Sequence, residues 1–210
     1  FDLNHISAYS ILAPTIVGAI TYRMQASVLK VLCLFVFIVF LMEATTLIFH
    51  SMRINNMFLF HSYTFIEFGI ISAIYYKVST SRMYRRLIMI AFFLFITLSI
   101  LNLFNFQVLN KFNSYQRVVE CLILTIYFFG YFSQLIGTNK YPILELHPMF
   151  LLTVGFSIYF LGTALLFLYA NEFINKDIDE YWALHSYLNI FLNIIYTVVL
   201  WKGSKVAKLL

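Results

Sequence analysis

The feature that most constrains this chain is a series of seven long apolar stretches separated by short polar segments. An α-helix rises about 1.5 Å per residue, so about 20 apolar residues cross a hydrocarbon core of about 30 Å. None of the connecting segments leaves room for a folded soluble domain. The sequence therefore predicts a single all-α transmembrane domain over residues 1–210, a seven-helix bundle with spans at about 6–22, 28–49, 57–77, 85–106, 116–137, 147–170 and 182–201.

Composition agrees with a bilayer as the surrounding solvent. Hydrophobic residues make up 62% of the chain and charged residues 11%, against about 45–50% and about 25% in soluble domains. Transmembrane strands are excluded because the apolar runs are too long, and open strands would leave backbone groups unpaired in lipid. The net charge of +5 does not indicate nucleic acid, because the bases flank apolar spans and do not form one patch.

The distribution of Lys and Arg predicts the orientation of the bundle. Cytoplasmic segments of membrane proteins carry an excess of these residues. One side of the predicted bundle holds four of them: Arg53, Lys111, Arg117 and Lys176. The other side holds ten: Arg23, Lys30, Lys77, Arg82, Arg85, Arg86, Lys140, Lys202, Lys205 and Lys208. This bias predicts an amino terminus outside and a carboxyl terminus in the cytoplasm, in a multi-pass protein of the cell (inner) membrane.

The first span is the shortest and contains Pro14. If this stretch did not cross the membrane, the amino terminus would lie on the opposite side and the rest of the topology would not change.

Polar and ionisable residues within the spans are the candidates for function. Such groups cost free energy in hydrocarbon and usually face the interior of a bundle. In the predicted topology most of them fall in the outer half, which predicts an outward-facing polar pocket. The candidate pocket residues are Glu43, His61, Tyr63, Glu67, Asn102, Asn105, Glu120, His185, Asn189 and Asn193.

Glu67 lies near the middle of the third predicted span. A carboxylate at that depth is either neutral or paired with a cation, and no Lys or Arg is expected at the same depth. We therefore expect Glu67 to be protonated, or to be hydrogen-bonded to a histidine or to a tyrosine such as Tyr63.

The last predicted span carries a polar stripe. His185, Asn189, Asn193 and Tyr196 recur at i, i+4, i+8 and i+11 and so share one helix face. A polar face within an apolar span points into the bundle. Two interpretations remain open: hydrogen bonds between helices, or the wall of a pocket or relay.

No cofactor is expected from the motifs. Imidazole and carboxylate are ordinary zinc ligands, so His61, Glu67 and His185 form an alternative zinc set. However, the set would combine residues of two different predicted spans, and no HxxxH or HExxH pair is present. Cys33 and Cys121 fall within apolar spans and are expected to be small core hydrophobes.

Three segments carry a resemblance to known sequences: LFHSYTFIEFGIISAIYY (59–76), HPMFLLTVGFSIYFLGTALLFL (147–168) and LHSYLNIFLNIIYTVVLW (184–201). They resemble a family of small seven-helix membrane proteins common in Bacteroidota, to which no activity is assigned. The resemblance supports the topology and implies no mechanism. Its recurring residues correspond to His61, Glu67, Pro148, Gly155, His185, Asn189 and Asn193.

The leading functional hypothesis is a non-enzymatic, sensor- or receptor-like membrane subunit. A small ligand would bind in the outer pocket, and the basic inner face would contact a cytoplasmic or membrane signalling partner. Three alternatives remain: an intramembrane His/Glu enzyme, with or without zinc; a small-solute transporter; and a structural membrane subunit. A polar path continuing inward through Asn193 and Gln134 would favour the transporter, and polar groups that pair off without a cavity would favour the structural subunit.

Overall fold

A computed structural model describes residues 3–105, 113–136, 147–173 and 179–206. Within these ranges the chain forms α-helices and no strand. The helices are α1 (Leu3–Ser10), α2 (Leu12–Thr21), α3 (Ser27–Ser51), α4 (Met57–Val78), α5 (Arg82–Asn105), α6 (Ser114–Ile136), α7 (Pro148–Phe173) and α8 (Asp179–Val206). Among the described residues, seven helical segments are long and apolar enough to cross a membrane. The predicted all-α, seven-helix membrane fold is thereby confirmed.

The first span is longer than predicted. It runs over Leu3–Met24 and consists of α1, α2 and a short 3-10 turn at Tyr22–Met24. The helix is interrupted at Ile11, three residues before Pro14. Proline has no N–H to donate to the carbonyl four residues earlier, and its ring clashes with that carbonyl. Pro14 therefore explains the break at Ile11, and the chain continues as α2 in the same span.

Six of the seven spans form a closed ring. Going round it, the first span packs on α3, α3 on α4, α4 on α6, α6 on α7, α7 on α8, and α8 back on the first span. The remaining span, α5, lies outside this ring against α4 and α6. Because successive spans run in opposite directions, the end of α3 and the starts of α4 and α8 lie at one end of the bundle. We call it the outer end, since the charge distribution predicts that this end faces outside.

Buried aromatic side chains fill the bundle below its outer half. Tyr75, Phe128, Phe156 and Phe160, which we call the aromatic layer, are all essentially inaccessible to solvent. The centroid of the Phe128 ring lies 5.4 Å from that of Tyr75, 5.7 Å from that of Phe156 and 5.8 Å from that of Phe160. The hydroxyl of Tyr75 donates a hydrogen bond to Thr153 Oγ1 at 2.9 Å. This layer closes the interior towards the end of the bundle opposite the outer end.

Three hydrogen bonds join the first span to the last in a regular ladder. Ser186 Oγ donates to Asn4 Oδ1 at 2.8 Å, Asn189 Nδ2 to Ser7 Oγ at 2.9 Å, and Asn193 Nδ2 to Ser10 Oγ at 2.7 Å. The sequence separation stays at 182 or 183 residues, so the two helices run parallel. The first span therefore crosses in the same direction as α8, as an odd number of spans requires.

A candidate ligand-binding cavity at the outer end

A cavity of about 280 Å³ lies within the outer half of the ring. Its walls come from the middle and second halves of α3 and α7, from the first halves of α4, α6 and α8, and from Asn113 directly before α6. Most of the wall is apolar or aromatic, with a few polar groups, as in small-molecule sites in general. The aromatic layer lies below it, so the cavity belongs to the end that the charge distribution places outside.

Two ionisable side chains, Glu43 and His185, belong to this wall. Glu43 lines the cavity from α3, and within the described residues its carboxylate has neither a hydrogen bond nor an ion pair. His185 lines it from α8. The centroid of its ring lies 6.2 Å from that of Tyr159, 5.9 Å from that of Phe167 and 5.9 Å from that of Trp182. Glu43 is thus an acceptor without a donor in the described structure, and His185 is set among aromatic rings.

A third ionisable group, Arg117, connects the cavity to a buried charge cluster. Arg117 lines the cavity from α6, and its Nη1 forms ion pairs with Glu67 Oε2 and, at 2.6 Å, with Glu120 Oε2. Tyr63 donates from its hydroxyl to Glu67 Oε1 at 2.9 Å. Arg117, Glu67 and Glu120 are 5%, 1% and 0% exposed. One cation therefore serves two buried carboxylates, and we call these three residues the Arg117 cluster.

Glu67 shows one expectation met and one corrected. The expected hydrogen bond from Tyr63 is present. The expectation that no Lys or Arg lies at the depth of Glu67 is wrong, because Arg117 forms an ion pair with it.

The physical reason is the relative height of α4 and α6. Asn113, directly before α6, donates to Phe60 O at 3.1 Å and to Thr64 Oγ1 at 2.8 Å. The start of α6 is therefore level with the second turn of α4, about one turn deeper than equal spans would place it. Arg117 consequently lies inside the bundle and is not a charge at the membrane surface.

The ten candidate residues separate into distinct environments. Four of them line the cavity: Glu43, Tyr63, His185 and Asn189. Glu67 and Glu120 lie behind its wall in the Arg117 cluster, while His61 Nδ1 lies 3.1 Å from Gln116 Oε1 in a hydrogen bond. Asn193 is bonded to Ser10, and Asn102 is on α5, outside the ring. The side chain of Asn105 lies outside the described residues.

The polar stripe of α8 serves both of the purposes that its pattern left open. Asn193 belongs to the ladder with α1, and Asn189 belongs both to the ladder and to the cavity wall. His185 faces the cavity, and Tyr196 is buried, with its ring edge-on to Phe35 and Phe156.

Several wall residues have no recognisable signal in the sequence. The charge distribution places Arg117 on the outer side of the membrane, although its spacing of three from Glu120 matches an intrahelical ion pair. Tyr159, Phe167 and Trp182 complete the aromatic wall. With 24 Phe and 15 Tyr in the chain, an individual aromatic position carries little information.

The alternative zinc set is dispersed. Within the described residues, no group of three His, Cys, Asp or Glu side chains is placed to hold a metal ion. His61 forms a hydrogen bond with Gln116, and Glu67 forms an ion pair with Arg117. The ring of His185 packs against aromatic rings, among them that of Phe167. Cys33 and Cys121 are free, buried thiols, as expected of small core residues.

Comparison with known proteins adds no identity to this geometry. No family model, no curated protein and no solved structure matches the chain. The fold and the cavity define an integral membrane protein with a bundle of seven helices, and function has to be argued from the cavity.

Proposed function

We propose that this chain is a receptor-like protein of the cell (inner) membrane that binds a small ligand in the outer cavity, and that it belongs to the small seven-helix family it resembles. One observation carries the proposal: a cavity of about 280 Å³ contains a carboxylate, Glu43, that has no partner among the described residues. Glu43 is partly buried, and removing an acceptor from water without giving it a donor costs free energy, so a ligand that supplies the donor offsets this cost.

Transmission to the inner end would proceed through α4 and α6. These helices border the cavity and are joined by the ion pair between Glu67 and Arg117. At its inner end α4 leads into a basic segment, where Arg85 Nη2 donates to Ser79 O at 2.7 Å. In this proposal, ligand binding shifts α4 against α6, and the basic inner face presents the change to a cytoplasmic or membrane signalling partner.

The transporter alternative has less support. A polar path continuing inward through Asn193 and Gln134 would favour a transporter. Asn193 is engaged by Ser10, and Gln134 Oε1 accepts hydrogen bonds from Ser79 Oγ at 3.0 Å and from Thr80 N at 3.2 Å. The aromatic layer lies between the cavity and the inner end. The structural-subunit alternative is supported by the ladder but leaves the cavity unexplained.

A cavity-filling variant tests the proposal. Thr46 lines the cavity on α3, so Thr46→Trp places an indole inside it. Leu41→Trp on the same helix is the matched control, because Leu41 is 47% exposed and faces away from the core. Purified wild-type protein and both variants are screened by thermal shift against panels of small amines, carboxylates, sugars and neutral amphiphiles.

We expect at least one chemical class to stabilise the wild-type protein and Leu41→Trp but not Thr46→Trp. The proposal fails if no class stabilises the wild-type protein, or if stabilisation is equal in all three proteins.

A further inference from the structure

We propose that the ligand of the outer cavity is a small organic ammonium compound, with Glu43 as its counter-ion and the aromatic wall as its apolar enclosure. This inference rests on the proposed function, because it specifies the chemistry of the ligand in the same cavity.

The balance of charge around the cavity is the first argument. Within the described residues, three carboxylates line the cavity or contact its wall: Glu43, Glu67 and Glu120. Among the described residues that line the cavity, Arg117 is the only one with a permanent positive charge. Its Nη1 already donates to Glu67 and Glu120. His185 pairs with none of the three carboxylates. A positively charged ligand is therefore attracted, whereas an anion adds repulsion in a region of low dielectric constant.

The donors and acceptors show the same imbalance. Glu43 has no donor within the described structure, and Glu120 Oε1, fully buried, has none either. Arg117 Nη2 donates a hydrogen bond to the hydroxyl of Tyr159 at 3.4 Å, so both terminal nitrogens of Arg117 already have partners. The missing component is a donor or a positive charge, and an ammonium group supplies it.

The aromatic wall is the second, independent argument. Cations are attracted to the faces of aromatic rings, and more strongly where water is excluded. The wall already demonstrates this attraction: the guanidinium carbon of Arg117 lies 5.7 Å from the centroid of the Tyr63 ring and 5.4 Å from that of Phe167. Tyr159 and Trp182 extend the wall beside His185. Aromatic rings together with one carboxylate are a recurring means of recognising alkylated ammonium groups.

The apolar part of the wall selects among cations. Val39, Met42 and Met57 line the cavity alongside the rings. A strongly hydrated inorganic ion would lose its water there without compensation. An ammonium compound with apolar substituents loses less hydration and fills about 280 Å³. The geometry therefore favours an alkylated ammonium over a metal ion.

Three probes of matched shape test the assigned charge. Choline carries a positive charge, 3,3-dimethylbutan-1-ol is its uncharged isostere, and 3,3-dimethylbutanoate carries the same bulky group with a negative charge. Binding to the purified protein is measured by calorimetry in a neutral detergent. We expect choline to bind at least tenfold more tightly than the alcohol, and the carboxylate not to bind.

Variants then test the assigned counter-ion. Glu43→Gln should weaken choline binding at least tenfold and leave binding of the uncharged alcohol unchanged. Thr45→Ala, on the same helix but not on the cavity wall, should bind choline as the wild-type protein does. If Glu43→Gln fails to fold, the comparison of the three probes on the wild-type protein still decides the inference.

The source of the ammonium group is distinguished in nanodiscs. Stabilisation by phosphatidylcholine over phosphatidylglycerol, without added choline, would identify a lipid headgroup as the source, and stabilisation only by free choline would identify a soluble compound. Both results support the inference. Equal binding of choline and the alcohol, or preference for the carboxylate, overturns it. In that case a ligand of another class in the cavity screen would leave the proposed function standing, whereas a negative screen would remove both.

Discussion

Arg117 and Glu67 form a buried ion pair between α6 and α4, although 50 residues separate them in the sequence. Arg117 lines the cavity, Glu67 lies behind the cavity wall, and Glu120 shares the same guanidinium nitrogen. Because the cluster contains two carboxylates and one cation, its members are not equivalent. Removing the cation leaves two buried acids without compensation, whereas neutralising one acid leaves a matched pair.

This inequality predicts that two substitutions in the cluster lower stability by very different amounts. Arg117→Leu should lower the free energy of unfolding by about 3–5 kcal/mol, the usual cost of breaking a buried ion pair by removing one partner. Glu120→Gln should cost less than about 1 kcal/mol, because Arg117 keeps Glu67 and the repulsion between two carboxylates disappears. Unfolding in mixed micelles with increasing dodecyl sulfate measures both.

A third variant separates charge from packing in this prediction. Arg117→Leu combined with Glu67→Gln and Glu120→Gln removes all formal charge from the cluster. It should be more stable than Arg117→Leu alone, because no buried carboxylate remains unpaired. Equal stability of the triple and single variants would show that the loss comes from packing and not from charge.

The extent to which the fold could be predicted from the sequence follows from the scale of the signals. The free energy of membrane insertion is summed over about 20 apolar residues, so each span gives a strong signal in the sequence. The number and order of the spans were therefore predictable. Pro14 left open whether the first stretch crosses the membrane. A proline indicates a local break in a helix, but it does not indicate the direction in which the chain continues. The ladder from Asn4 to Ser10 along α8 resolves that direction.

The cavity was less predictable because it depends on relative helix heights. Hydropathy places a span end only to within about a turn, and one turn separates a surface Arg117 from one that reaches Glu67. The polar wall residues Glu43 and His185 could be proposed as unusual groups within apolar runs. The aromatic wall could not, since whether Trp182 faces lipid or the interior depends on how α8 is rotated.

The ladder between α1 and α8 predicts a measurable coupling. In membrane proteins a hydrogen bond between helices contributes about 0.6 kcal/mol. A double-mutant cycle of Ser10→Ala and Asn193→Ala should therefore give a coupling energy of about 0.6 kcal/mol, measured by unfolding in mixed micelles.

The control for this cycle pairs Asn193→Ala with Ser62→Ala. Ser62 is exposed and donates to Phe58 O of its own helix at 3.0 Å, so these two effects should add. A coupling energy near zero for Ser10 and Asn193 would contradict the ladder.

Two glycines provide a matched test of close helix packing. A Cβ atom on Gly155 would lie 2.6 Å from Ile195 Cγ2 on α8, whereas one on Gly69 would meet nothing nearer than Phe92 Cε2 at 3.8 Å. Ile195 is β-branched and rotates with difficulty, so α7 and α8 would have to separate. Gly155→Ala should cost about 1–3 kcal/mol.

The same substitution at Gly69 should have the opposite sign. Alanine is favoured over glycine within a helix by about 1 kcal/mol, and the space around Gly69 accepts the added methyl group. Thermal unfolding of the purified variants compares the two positions. A loss of stability in Gly69→Ala as large as that in Gly155→Ala would show that helix contact does not distinguish them.

The burial of Arg117 also sharpens the predicted orientation. Since Arg117 forms ion pairs with two carboxylates inside the bundle, it does not act as a free charge at the outer surface. The distribution of the remaining Lys and Arg is then ten against three, and the predicted cytoplasmic side keeps all of its ten.

Thiol labelling in intact cells tests this orientation directly, because Cys33 and Cys121 are only 7% and 0% exposed and give little background. Asn55→Cys, in the exposed connection between α3 and α4, should react with a membrane-impermeant maleimide from outside. Thr80→Cys, in the connection between α4 and α5, should react only after the cells are opened. The reverse pattern would invert the bundle and place the cavity, together with Glu43, on the cytoplasmic side.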